Sequence, residues 1–273
     1  MERQGGARWR AARSGVAGLA ALLVVCALVP SAPVWAQESR FQGKSLDEWQ
    51  GDLTKPDPRL RRRATAALGN FGAAALPSLT QALTDPDAEV RLAAVRGIGR
   101  LGPGAQAAQP ALVAAMKDRS GIVRRVAAIA LGEARQPTPE VIDALIRALA
   151  DPDAAVVDNA AHSLLDLGPP AVPALSRALK DTDAAVRAGA VVTLTAGVQF
   201  GQFRPVPAET VAALMDALKD TEPDIRDEAA RSLAEVGPAA KPALGRLREM
   251  AQGDPVDSVR RTAQRAIERL ESN

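Results

Sequence analysis

One pattern recurs seven times along this chain, and it limits the folds open to it more than any other feature. Its clearest copy is Asp85-Pro-Asp-Ala-Glu-Val-Arg-Leu-Ala-Ala-Val-Arg-Gly-Ile-Gly. Asp85 or Asp87 can cap a helix N-terminus, because a carboxylate accepts from the orphan backbone N–H groups there. Pro86 suits a helix entry, where its missing N–H costs little. Val90, Ala94 and Ile98 fall at i, i+4 and i+8, a single helical stripe. Gly102 and Pro103 close the helix. A second apolar helix follows with Leu112 and Met116 facing inward, so the unit reads as a helical hairpin.

Aligned copies agree column by column. The leading apolar residue is Leu60, Val90, Val123, Val156, Val186, Ile225 and Val259, at spacings of 30, 33, 33, 30, 39 and 34. Four residues on stand Ala64, Ala94, Ala127, Ala160, Ala190, Ala229 and Ala263. Eight residues on stand Leu68, Ile98, Leu131, Leu164, Leu194, Leu233 and Ile267. A small Ala lets neighbouring helices approach, and the branched residue fills the layer between repeats. In the second helices Pro77, Pro110, Pro173 and Pro242 precede Leu79, Leu112, Leu175 and Leu244 by two residues, marking a first turn. Leu145 and Leu214 take the equivalent place in the other two repeats. With no Tyr and only four Phe, the chain lacks the bulk for one central core, and a stack of hairpins is expected instead.

The pattern D-P-D-x-x-V-R-x-x-A-x-x-x-I/L-G, followed by an Ala/Pro/Leu helix, resembles HEAT repeats, and among them the short bacterial kind often called PBS-lyase HEAT-like. The resemblance covers roughly residues 52–271. It implies an all-α, right-handed α-solenoid of about six HEAT-like hairpins plus a terminal helix, with first helices outside and second helices lining a concave face. It also implies that Arg61, Arg91, Arg124, Arg187, Arg226 and Arg260 pair with acidic cap residues in a ladder between repeats. Val157 stands where the fourth repeat should carry this Arg, so the ladder should break there. The segment Phe41–Trp49 resembles a leader helix found before such arrays in exported bacterial proteins. Trp49 and Leu53 are expected to cover the open end of the first hairpin. The expected organisation is a signal peptide over 1–36, a leader and cap over 37–51, and the solenoid over 52–273.

The first 36 residues have the layout of a secretory signal. Arg8, Arg10 and Arg13 precede an apolar run from Val16 to Val29, and Val34-Trp35-Ala36 offers a small residue at the cut. A run of about 14 residues is short against the roughly 20 a bilayer span needs. Cleavage after Ala36 and a periplasmic or secreted location are expected; the alternative is an uncleaved N-terminal anchor. Removing Arg3, Arg8, Arg10 and Arg13 takes Lys+Arg from 34 to 30, and removing Glu2 takes Asp+Glu from 32 to 31. The net charge moves from +2 to −1, and the general electrostatic case for a nucleic-acid partner goes with it. Cys26, the sole cysteine, is lost too, leaving no disulfide or thiol chemistry.

Catalytic motifs are scarce. His162 is the one histidine, which excludes multi-histidine metal sites, and Ser163 beside it on a helix points the wrong way for a triad. The acid pairs Asp85/Asp87, Asp151/Asp153 and Asp181/Asp183 recur at repeat junctions and read as caps rather than as catalytic or metal-binding carboxylates. Gly43-Lys44-Ser45 lacks the Gly at position 38 that a phosphate-binding loop needs. No catalytic, metal or cofactor-binding residue is assigned, and no cofactor is expected. Two places could bind a partner. Residues 197–208 expand the fifth repeat and hold Phe200, Phe203 and Arg204, residue types that anchor interfaces unless the rings fold over a neighbouring hairpin. The second helices carry a column of Gln81, Ala114, Arg147, Arg177, Asp216 and Arg246, expected to face solvent. Of these, Arg147, Arg177 and Arg246 could meet an acidic peptide. The cluster Arg59, Arg61, Arg62 and Arg63 reads as a solvated helix face. The expectation is an exported, non-enzymatic scaffold offering a concave helical surface to a protein or peptide partner. The alternatives are an enzyme like the bilin lyases and isomerases that the resemblance suggests, and a membrane-tethered scaffold.

Overall fold

The computed structural model describes residues 39–272; the signal and its cut after Ala36 lie outside the described residues. Helix α1 (Leu46–Asp52) opens with a capping box, in which Ser45 and Glu48 each satisfy the other's backbone N–H. Trp49 on this helix is buried, and its Nε1 donates to the Phe41 carbonyl at 3.0 Å. Leu53 is half-buried against the same core. The cap foreseen for the first hairpin is therefore in place.

Six hairpins follow. Their first helices are α2 (Pro58–Leu68), α4 (Ala88–Gly99), α6 (Gly121–Glu133), α8 (Ala154–Leu167), α10 (Ala184–Gln199) and α12 (Pro223–Val236). Their second helices are α3 (Leu76–Ala82), α5 (Gln109–Ala115), α7 (Pro139–Arg147), α9 (Val172–Ala178), α11 (Ala208–Ala217) and α13 (Leu244–Gly253), and α14 (Asp257–Ser272) follows alone. First helices pack side by side in one layer and second helices in another, and the core runs unbroken between them. Each first helix meets the corresponding helix of the next repeat, as a right-handed α-solenoid requires. Among the described residues no helix is long and apolar enough to cross a membrane.

The alignment columns are the core. All seven alanines of the second column are fully buried, and so are Leu68, Ile98, Leu131, Leu164, Leu194 and Leu233. Leu60 differs: it is 45% exposed. Its counterpart Val90 is covered by Ala82 and Leu83 of the preceding hairpin, and among the described residues only the short α1 comes before the helix that carries Leu60. The last second helix also departs from expectation. Pro242 lies in a 3-10 segment, Gly237–Ala243, so α13 begins later than its counterparts. Leu244 is then only half-buried, and Leu247, one turn on, fills the inner site that Leu79, Leu112, Leu145, Leu175 and Leu214 fill elsewhere.

The turn between the two helices of each hairpin contains one left-handed residue: Gly72, Gly102, Arg135, Gly168, Gly201 or Gly237. Glycine adopts that conformation without a Cβ clash, and Arg135 alone takes it with a side chain. The expansion in repeat five goes partly into helix. At 16 residues α10 is longer than α8 or α12, at 14 each, and runs through Gln199, so the connection shrinks to residues 200–207.

Candidate interaction surfaces

Two populations of arginine define the charge of this molecule. The first is a ladder. Arg61, Arg91, Arg124, Arg187 and Arg226 each grip an aspartate of the next repeat with both prongs of the guanidinium. The partners are Asp85, Asp118, Asp151, Asp220 and Asp254, with Nε–Oδ2 distances of 2.6–2.8 Å. The remaining Nη1 donates to backbone carbonyls at the start of the arginine's own helix, as from Arg91 to the carbonyls of Asp85 and Pro86. Each aspartate also accepts from the backbone N–H two residues on, as Asp85 does from Asp87.

The two acids of each pair divide the labour of capping and pairing. Asp87 caps α4 by accepting from Glu89 and Val90, whereas Asp85 takes the arginine. Asp151 and Asp153 divide in the same way. Burial acts to raise the carboxyls of Asp85, Asp118, Asp151 and Asp220, but the arginine and the backbone N–H outweigh it, and all four lie below the usual carboxylate range. Asp254 is lowered chiefly by its hydrogen bonds from Arg226. At the fourth repeat Val157 leaves the Asp181 carboxylate without an arginine, and among the described residues that carboxylate accepts only from the Asp183 N–H. The foreseen break is therefore present.

The second population is solvent-facing. Arg147 and Arg177 are exposed on α7 and α9, and among the described residues neither pairs with a carboxylate. Arg246 is half-buried; it donates to the Met215 carbonyl at 3.1 Å and lies 3.7 Å from Asp216, which Lys180 also holds at 3.0 Å. So the column is open to solvent, but Arg246 is already committed to its neighbour. Between α9 and α11 lies a groove of about 430 Å³ lined by Pro173, Arg177, Lys180, Glu209, Ala212 and Asp216.

The 200–207 connection splits the two phenylalanines. Phe203 is core: it is 1% exposed and lies over Gly197, where a Cβ would stand 2.0 Å from the ring. Its burial removes Phe203 from the candidate partner anchors. The ring is larger than the gap a Cβ would leave, so glycine is what admits it. Phe200, at the end of α10, is 68% exposed. Arg204 braces the connection, donating to the carbonyls of Val198 (3.4 Å) and Glu235 (3.1 Å). His162 is exposed, its Nδ1 2.7 Å from the Asp158 carbonyl of its own helix. Among the described residues no group of three His, Cys, Asp or Glu is placed to hold a metal ion.

One surface escaped the sequence reading. Between α2 and α4 of the first-helix layer lies a groove of about 600 Å³ lined by Arg59, Arg62, Arg63, Arg96 and Arg100. Arg61, which the sequence groups with this cluster, turns away into the ladder. The available signal was repeat offset: Arg96 and Arg100 are i and i+4 on the same outward face that carries Arg62 one repeat earlier.

A two-layer stack of α-hairpins with one conserved-geometry turn per unit and a ladder between units defines an α-solenoid. The chain belongs to the HEAT-repeat family: the family model for HEAT repeats matches residues 51–132, 109–195 and 192–268. Comparison with curated proteins finds no match. Among solved structures, the archaeal HEAT-like repeats protein from Thermococcus onnurineus NA1 is 14% identical, with a TM-score of 0.50 over 84% of this chain and 98% of that one. Importin beta is 15% identical, with a TM-score of 0.57 over 83% of this chain but 35% of that one. The CpcE–CpcF complex of phycocyanin lyase from Nostoc sp. PCC7120 is 22% identical, with a TM-score of 0.44 over 88% of this chain and 100% of that one. These likenesses concern fold alone.

Proposed function

We propose that the protein is an exported, non-enzymatic scaffold that holds a protein or peptide partner on its second-helix face, the face the family resemblance makes concave. The observation carrying this reading is the groove between α9 and α11, where Arg177 lies exposed and, among the described residues, forms no ion pair, with Arg147 exposed on α7, the neighbouring helix of the same layer. A shallow, rigid face with unspent guanidiniums recognises carboxylates of an extended chain, and affinity comes from a few such anchors. Phe200 is a second anchor at the edge of the hairpin, whereas Phe203 serves the core.

Crosslinking in the native compartment, followed by identification of the partner, tests the scaffold. Arg147→Glu/Arg177→Glu is expected to abolish recovery of that partner, and Phe200→Ala to reduce it; undiminished recovery from both variants rejects the assigned face. Export is tested separately by intact mass. Loss of residues 1–36 supports it, and a mass that retains them favours the tethered alternative.

A further inference from the structure

The groove between α2 and α4 lies in the other layer from the proposed partner face, and its chemistry is different. Arg59, Arg62 and Arg63 stand on one wall, with Arg96 and Arg100 on the other; Glu89 is the one carboxylate in the lining. All five arginines are exposed, and among the described residues none of them pairs with a carboxylate. The five ladder arginines, by contrast, are each matched with an aspartate. Five like charges around one groove repel each other, and Glu89, the one carboxylate in the lining, is outnumbered five to one.

The walls are also built. Arg63 stacks over the Trp49 ring, 5.5 Å from its centre, and donates to Gln42 Oε1 at 3.3 Å. Arg100 lies across Gly69, where a Cβ would stand 2.1 Å from its Nη2. Both guanidiniums are thus held at the groove, which lowers the entropy lost when an anion binds. The floor is apolar, with Ala66 and Ala93 between the two arginine rows.

We propose that this groove binds an acidic polypeptide segment, with aspartate or glutamate carboxylates forked by arginines from both walls and the segment's aliphatic groups on the alanine floor. Two observations select a polypeptide. The arginines line a groove about one helix spacing wide instead of projecting from a flat surface, as a membrane would require. The basic face also ends by the fourth repeat: α6 keeps Arg125 in the column of Arg62 but has Glu133 in that of Arg100, and α8 exposes Asp158 and Asp166 in both, so a nucleic-acid backbone would meet like charge.

The test is fluorescence anisotropy on the full chain as purified. The probe is a labelled ten-residue peptide of alternating Glu and Ala, run against anionic phosphatidylglycerol vesicles and a single-stranded decanucleotide. Saturable peptide binding that weakens with salt is expected. Arg62→Gln/Arg96→Gln should weaken it about tenfold or more, since charge-assisted forks are lost. The weakening should persist in an Arg147→Glu/Arg177→Glu background, which removes whatever share of the binding the second-helix face supplies and so separates the two sites. The arginine-to-glutamine substitutions touch no packed side chain, and an unshifted thermal transition verifies that the variant is folded. Three outcomes overturn the proposal: absence of peptide binding, binding indifferent to Arg62→Gln/Arg96→Gln, or vesicles or oligonucleotide bound in preference to the peptide. The second-helix reading is decided by its own variants, read on recovery of the native partner.

Discussion

The third and fourth repeat junctions meet the same requirement by different physics. At the third, Arg124 on α6 grips Asp151 with two prongs at 2.7 Å each, and Ser163 on α8 donates to the Ala128 carbonyl on α6 at 2.9 Å. At the fourth, Val157 takes the arginine's place and Asp181 is left with a backbone contact. There α10 leans on the short turn Ala148–Ala150 as well as on α8. Gly189 allows this: a Cβ at that position would stand 2.5 Å from the Leu149 Cβ and 3.2 Å from its carbonyl oxygen. The aligned residues Arg63, Ala93, Val126, Asn159, Glu228 and Thr262 all carry side chains. Loss of the arginine and loss of the Cβ thus belong together: a directional charge pair is exchanged for close backbone approach.

Acid should separate the two most strongly. The folded carboxyls of Asp85, Asp118, Asp151, Asp220 and Asp254 lie below their unfolded values. Their contribution is complete above about pH 5 and is lost as pH falls through the folded values. Urea midpoints should therefore fall steeply below about pH 4. Amide exchange should rise at the paired junctions before the fourth, and a flat midpoint between pH 5 and 3 would contradict the ladder.

Breaking one rung comes next. Asp151→Ala strands Arg124, whose side chain is 15% exposed, and should cost about 3 kcal/mol in chemical denaturation, the range for orphaning a charge in a largely buried pair. The same change at Asp181 should cost under about 0.5 kcal/mol, the figure for a surface site away from such features. Equal losses would erase the distinction between the junctions.

Gly189→Val attacks the other device. Overpacking against Leu149 should cost about 1–3 kcal/mol, whereas Glu228→Val at the aligned place on α12 should be milder. Val157→Arg is the smallest effect. It supplies the missing fork at the same separation from Asp181 as Arg61 has from Asp85, and should add about 0.5–1 kcal/mol. No gain in melting temperature would show that the altered packing of α10 has moved Asp181 out of reach.

The architecture was legible because it depends on recurrence. Seven aligned Ala and Leu/Ile positions identify one buried stripe whatever the local detail, and the ladder and its gap follow from a single column. What was not legible depends on ends and on neighbours distant in sequence. Leu60 matches its column, but among the described residues it lacks the second helix of a preceding repeat that covers Val90. Leu244 matches its column, but a 3-10 segment that runs past Pro242 turns it outward and brings Leu247 in. Phe203 looks like Phe200 on paper; only the position of Gly197 under its ring decides which of them is buried. Arg96 and Arg100 were ordinary surface charges until the stacking of α2 and α4 set them across from Arg59 and Arg62.

The break at Val157 also has a mechanical meaning. Repeats that touch only their neighbours act as springs in series, and deformation collects in the softest. A two-pronged ion pair resists sliding and twist because both its bonds have direction, whereas an apolar contact such as Gly189 on Leu149 resists separation but lets surfaces slip. Under load, the two stiff arms on either side of α8 and α10 should swing before either arm stretches, making this junction the elbow of the array.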